Sequence, residues 1–208
     1  MKAIRAILIL LYALISLPMA AAQTPGESFG FSFDEESQIF IDGTSSLHDW
    51  TCDVEEISGG FIAVREPESQ GYRLESGILS VHPDDIECGK RIMNGKLRKA
   101  LAADAGSEIV FTLEEGESLS KALDESQRAS ETSFSGFLTI AGMTRPVTLT
   151  AGSSESYSSR LQFEGSFSLT MSDFGVSPPK ALLGRLKTGD EVTIRFILVA
   201  KQTPLANS

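Results

Sequence analysis

The sequence predicts an all-β protein, an antiparallel barrel or sandwich with one short amphipathic helix. Three observations carry that expectation. From Leu161 to Met171, eleven residues alternate without interruption. Leu161, Phe163, Gly165, Phe167, Leu169 and Met171 share one parity; Gln162, Glu164, Ser166, Ser168 and Thr170 fill the other. A period of two sends these sets to opposite faces of a strand, one dry and one wet. Shorter segments of the same kind recur, separated by turn chemistry at Asp42-Gly43, Gly59-Gly60, Ala141 to Thr144 and Thr188 to Asp190, the pattern of a barrel or sandwich. The period changes only between Lys90 and Leu101, where Ile92, Met93, Leu97, Ala100 and Leu101 recur at helical spacing.

In chain order, the first element lies outside that domain. Lys2 and Arg5 flank the start of an unbroken apolar run, Ala6 to Ile15, and Ala20-Ala21-Ala22 follows a Leu17-Pro18-Met19 breaker. Ten apolar residues rise roughly 15 Å as a helix, about half a bilayer core, so the run is too short for a stable membrane anchor. It reads as a secretory signal, residues 1–22, cut before Gln23. No Cys follows to accept a lipid. Residues 23–208 are expected to form one exported, periplasmic domain.

Within it, Phe29, Phe31 and Phe33 alternate with Gly30 and Ser32, and a second strand starts at Gln38 to Ile41. Trp50, Cys52 and Val54 share a parity in a third. Phe61 to Val64, Tyr72 to Val81 and Ile109 to Leu113 read the same way. From Glu114 to Thr132 the composition turns to Glu, Ser, Asp and Lys, predicting an exposed connection with a turn of helix at Leu119 to Leu123. Phe134, Gly136, Leu138 and Ile140 mark the next strand, and Val147 to Ala151 its neighbour. The last strand carries Val192, Ile194, Phe196, Leu198 and Ala200 on one parity, and the tail from Gln202 is expected to fray.

Charge excludes one class of partner. Without the two cations of the leading segment, 16 Lys and Arg face 28 Asp and Glu, a net charge of −12. Such a chain repels phosphate backbones, which disfavours nucleic acid, and the same sign argues against broad adhesion to anionic lipid while leaving room for a local basic patch. Against that background Lys90, Arg91, Lys96, Arg98 and Lys99 form an acid-free run on the helix. They are either a solvated face or a cationic rim for an anionic head group or membrane surface, with Lys96 and Lys99 as the head-group candidates.

Catalytic chemistry is hard to assemble. His48 and Asp49 are neighbours, and on a strand neighbours face opposite ways. His82-Pro83-Asp84-Asp85 looks like a strand running into a turn. There is no Gly-x-Ser-x-Gly elbow, no phosphate-binding glycine loop and no His-Glu-x-x-His. A hydrolase or metal enzyme using His48 and His82 is kept as an alternative, and no cofactor is implied. Cys52 and Cys88 are expected to bond in an oxidising compartment. Free thiols, or a zinc site with the two His, are the alternatives, although no pair has the close spacing zinc ligands usually show.

What the chain does supply is apolar strand surface facing one way. Its aromatics are twelve Phe, three Tyr and one Trp, so few carry a polar handle. An eight-stranded barrel is just wide enough to fill itself or to hold one slim ligand. The candidate lining is Phe134, Leu138, Ile140, Phe163, Phe167, Leu169, Ile194, Phe196 and Leu198, with Trp50 and Phe174 near the mouth. Plain core packing predicts the same residue types.

Several motifs resemble the YceI-like family. Ile39 to Trp50 (Ile-Phe-Ile-Asp-Gly-Thr-Ser-Ser-Leu-His-Asp-Trp) is similar to its opening strand and turn, and Val81 to Leu113 to its strand, short helix and Ile-x-Phe strand. Phe137 to Leu149 resembles its Leu-Thr-Ile-x-Gly-x-Thr-x-Pro-Val-x-Leu hairpin. Met171-Ser172-Asp173-Phe174-Gly175-Val176 with Gly189 to Ile194 is similar to its closing strands. The chain departs where Leu47-His48-Asp49-Trp50 replaces a His-Ser pair and a downstream His, and in a longer connection from Glu114 to Thr132. The resemblance implies an extended, lipocalin-like antiparallel barrel of about eight strands with the helix beside its mouth. It also implies an exported protein holding a long isoprenoid or fatty acyl chain, and together with the apolar lining the expected ligand is a polyisoprenoid, a quinone tail or a fatty acyl group. A ligand-free barrel serving as a stress-response or interaction module is the alternative. Dimers occur among such proteins, and no residue here fixes a homodimer.

Overall fold

A computed structural model describes residues 26–66, 71–102, 106–114, 118–119, 130–156, 160–178, 180–181 and 186–204. In chain order the elements begin with β1 (Ser28–Phe33), β2 (Gln38–Ser45), β3 (Trp50–Val54), β4 (Ser58–Arg65), β5 (Tyr72–Val81) and β6 (Ile86–Glu87). Helix α1 (Arg91–Ala100) follows, then β7 (Ile109–Leu113), β8 (Ser118–Leu119), β9 (Ser130–Ile140) and β10 (Met143–Ser156). Next come β11 (Arg160–Thr170), β12 (Lys180–Ala181) and β13 (Leu186–Thr203). The signal segment and the predicted helical turn beyond Leu119 lie outside the described residues.

Eight strands close an antiparallel barrel in the order β1, β4, β5, β7, β9, β10, β11, β13, sealed by β1 on the last residues of β13. The expected barrel is therefore the fold, and the sandwich is not. β13 is long enough to serve two partners on the edge opposite β11: Ala200 to Thr203 meets β1, and Thr188 to Ile197 meets β2. β2 carries β3, and β3 carries β6, so a small flap extends one end of the barrel. The bend from β1 to β2 is held by Asp34. Its carboxylate bonds Arg160 at 2.7 Å and Lys201 at 2.9 Å, and accepts the Glu36 backbone N–H at 2.8 Å.

Of the four expected turns only Ala141 to Thr144 is one; Asp42-Gly43, Gly59-Gly60 and Thr188 to Asp190 lie inside β2, β4 and β13, where the glycines let neighbouring chain approach closely. Ala141 and Gly142 both have positive φ, 50° and 81°, the two-residue geometry whose twist suits a hairpin. On β5, Leu74 pairs Ala63 while Ser76 pairs Ile62, so Glu75 is an extra residue. That bulge shifts the inward parity from Tyr72 and Leu74 to Gly77, Leu79 and Val81. Pro146 sits inside β10, which runs well beyond the expected Val147 to Ala151. It is tolerated because only the β9 edge is paired there.

Further expectations are corrected, among them the tail, since Gln202 and Thr203 continue β13 and pair with Phe31 and Gly30 of β1. Leu119 belongs to a two-residue strand, not a helical turn. β7 ends opposite Gly77, and β8 occupies the exposed edge of β5 at Tyr72 and Arg73, where unpaired backbone groups would otherwise face solvent. The connection also ends earlier than Thr132, since β9 begins at Ser130. Met171 is not the last residue of its strand. β11 stops at Thr170 and Met171–Phe174 form a 3-10 turn, ended by Gly175 at φ 69° and anchored by Ser172, whose N–H and hydroxyl bond Asp190.

Candidate functional site

The inward parity of the barrel does not fill it. A cavity of about 220 Å³ remains, walled by apolar side chains and two glycines. That exceeds the roughly 150 Å³ of a dry cavity able to hold benzene, and falls below the roughly 300 Å³ at which drug-sized pockets begin. All eleven candidate lining residues border it. Phe134, Leu138 and Ile140 come from β9, Phe163, Phe167 and Leu169 from β11, Ile194, Phe196 and Leu198 from β13, and Trp50 and Phe174 from the mouth. Not one falls elsewhere.

One end is stopped by rings. Phe31 stacks on Phe61 with centroids 4.9 Å apart, and Phe163 meets Phe61 and Phe134 edge-on at 5.7 Å each. The other end is roofed by Leu97 and Leu101 from α1 and its C-cap, by Trp50, and by Met171, Phe174 and Val176. The wall there is incomplete. β10 and β11 pair only from Ala151↔Gly165 to Ser156↔Arg160, and part toward Met143 and Thr170. The Met171–Phe174 turn covers this seam, tied to β10 by Arg145, whose Nε donates to the Asp173 carbonyl at 3.1 Å.

Glycines keep the lumen open in a way the alternation did not reveal. A Cβ on Gly136 would lie 2.8 Å from the Phe111 ring, and one on Gly165 2.8 Å from Phe196 Cζ. On the flap, a Cβ on Gly43 would stand 2.1 Å from the Trp50 ring. Each ring occupies space that a side chain at the glycine would need. Trp50 also satisfies its polar atom away from the cavity, donating from Nε1 to the Thr44 carbonyl at 3.1 Å.

Sequence reasoning missed much of the roof. Leu97 was visible as the apolar side of a helix, but nothing local said that this side meets a ligand-sized space. It also missed Asn94, which is buried and positions the helix. Its Oδ1 accepts the Cys88 N–H at 2.9 Å and its Nδ2 donates to Glu87 at 2.5 Å. The Asn94 amide, helped by the Gly89 N–H, holds the Glu87 carboxyl below the usual range. Cys52 and Cys88 are bonded to each other, joining β3 to the segment before α1. The free-thiol and zinc alternatives for these cysteines are thereby set aside.

The remaining candidates lie off the cavity wall. Lys99 is exposed and Lys96 half-buried, and neither lines it. His48 sits on an exposed loop, its Nδ1 2.7 Å from the Asp49 carbonyl. His82 caps a 3-10 turn at Pro83–Asp85, its Nδ1 accepting the Asp84 N–H. Among the described residues no three His, Cys, Asp or Glu side chains gather as a metal site, and no helix is long and apolar enough to cross a membrane.

Comparison with known proteins follows the same lines. No curated protein sequence matches the chain. The barrel is similar to the crystal structure of BcnA from Burkholderia cenocepacia, 17% identical, with a TM-score of 0.61 over 81% of this chain and 99% of that one. A polyisoprenoid binding domain from Saccharophagus degradans, implicated in plant cell wall breakdown, is 15% identical, with a TM-score of 0.63 over 84% and 99% of the two chains. The YCEI protein of Campylobacter jejuni is 14% identical, with a TM-score of 0.53 over 74% and 85%. The model of the YceI-like domain matches residues 35–200, and the chain belongs to that family.

Proposed function

We propose that the protein binds a long apolar chain, a polyisoprenoid, quinone tail or fatty acyl group, and carries or sequesters it in the periplasm without chemically changing it. The observation behind this reading is the cavity, whose described lining residues are apolar and include no acid or base. Burial of hydrocarbon contributes about 0.8 kcal/mol per CH₂. Scaling from benzene's roughly 150 Å³ gives room for about nine carbons, worth up to about 7 kcal/mol before the costs of ordering. A longer chain extends through the seam between β10 and β11 or displaces the roof. A charged head group stays outside, since nothing on the wall would replace its water.

The similarity to a polyisoprenoid binding domain supports the ligand class. The Cys52–Cys88 bond supports an oxidising compartment, as does the leading apolar segment of the sequence. A ligand-free barrel accounts for the phenylalanine-filled end, but leaves the cavity without a use.

Trp50 provides the test, because it is the only Trp and borders the cavity. Titrating the mature protein with isoprenoid and straight-chain alcohols is expected to shift Trp50 emission saturably. The affinity should rise with chain length. No shift at any length would contradict the proposal.

A further inference from the structure

Helix α1 has two unlike faces. Leu97, with Leu101 at the C-cap, borders the cavity, and Met93 and Ala100 pack on the core. At 3.6 residues per turn the opposite side falls on Arg91, Ile92, Gly95 and Lys99, and all four are exposed. Ile92 is 77% exposed, more than any other large apolar residue described. Lys90 is exposed beside it, and the helix carries no acid. Arg98 is already engaged, through an ion pair with Asp84 at 3.1 Å. The exposed cations at this end are therefore Arg91 and Lys99 on the outer face and Lys90 at the N-cap.

We propose that this outer face docks the protein on an anionic phospholipid leaflet, bringing the cavity roof against a hydrocarbon phase. The proposal rests on the carrier reading above. A chain leaving the cavity through water would lose its burial methylene by methylene, whereas exchange at a membrane avoids that barrier. Charge supplies the orientation. Three exposed cations at one end of a domain with net charge −12 turn that end toward an anionic surface and the acidic remainder away. An acidic protein would meet the same cations, but it gives an exposed Ile92 and a greasy roof nothing to enter. With few cations and a single apolar residue, docking is weak, reversible and sensitive to salt.

The test is flotation of the mature, disulfide-intact protein with phosphatidylcholine vesicles, with and without phosphatidylglycerol. Binding is expected only with phosphatidylglycerol, and it should fall at high salt. In the Lys90→Glu, Arg91→Glu, Lys99→Glu triple variant it should drop by more than about a hundredfold. Ile92→Ser should weaken it severalfold with unchanged circular dichroism; Lys99→Glu alone serves if the triple variant misfolds. Equal flotation with both vesicle types, no flotation, or indifference to these substitutions would overturn the proposal. So would retention on soluble polyglutamate without vesicle binding. Farnesol uptake read at Trp50 without vesicles separates the two readings. Uptake without flotation sinks docking alone, and flotation without uptake sinks the carrier reading while leaving the docking face in place.

Discussion

Phe196 lies across Gly165 of the neighbouring strand: the two are paired in register, and the Phe196 ring fills the space that a side chain at 165 would need. An inward position without a side chain leaves room for the large ring of the neighbouring strand. The barrel thus uses phenylalanine without being filled by it. Gly136 and Phe111 repeat the device two strands away.

Gly165→Ala is expected to push the Phe196 ring toward the lumen and to press on the Thr150 carbonyl, 2.5 Å from the new Cβ. Overpacking of this kind costs about 1–3 kcal/mol. Denaturant unfolding should show that loss, and farnesol uptake should weaken. Wild-type stability together with undiminished uptake would contradict the role given to this glycine.

Phe174 is 4% exposed and covers the seam between β10 and β11. Truncation to Ala removes a buried ring, which typically costs about 3–5 kcal/mol. It also unblocks the side of the cavity. A stopped-flow measurement should find faster dissociation of a preloaded chain, whereas loss of stability with an unaltered off-rate would mean that the seam is not the exit.

The Cys52–Cys88 bond closes a loop with sequence separation 36. Its removal by Cys52→Ser, Cys88→Ser is expected to lower stability by about 3–4 kcal/mol on the chain-entropy account. Because Cys88 lies between Glu87 and the helix that roofs the cavity, amide exchange should quicken first in α1. Uniform exchange across barrel and helix would speak against a local tether.

Acid should expose the weight of Asp34. Burial raises its carboxyl, but Lys201, the Glu36 backbone N–H and Arg160 outweigh that and hold it below 3.8. A depressed folded value means the stabilisation is complete above the unfolded value and is lost as pH falls through the folded one. Asp34→Asn is therefore expected to cost about 2 kcal/mol at neutral pH. It should also flatten the dependence of unfolding free energy on pH in the acid limb below about 4. An acid limb as steep as wild type would assign that dependence elsewhere.

Much of this was legible in the sequence, for a physical reason. A strand with one dry face shows a period of two, so Leu161 to Thr170 and Val192 to Ala200 announced both their conformation and their inward residues. All eleven candidate lining residues reached the cavity because they lie on such parities or beside the mouth. What escaped depends on long-range register. The bulge at Glu75 flips a parity through its pairing with β4. The seam beside Phe174 exists because β10 and β11 pair over only part of their length. Asn94 looked like one polar residue on a basic helix, and its task emerges only when Cys88 and Glu87 are folded back against it. The same limit applied to Leu119, whose strand pairing answers an unpaired edge far away in sequence.

Whether the barrel holds a hydrocarbon chain is read by native mass spectrometry of the protein purified from its own host, with organic extraction of the same sample. A bound mass is expected that leaves on extraction as a hydrocarbon-rich molecule and returns when that molecule is added back. A clean apo mass, nothing extractable and no uptake of added isoprenoids would contradict it.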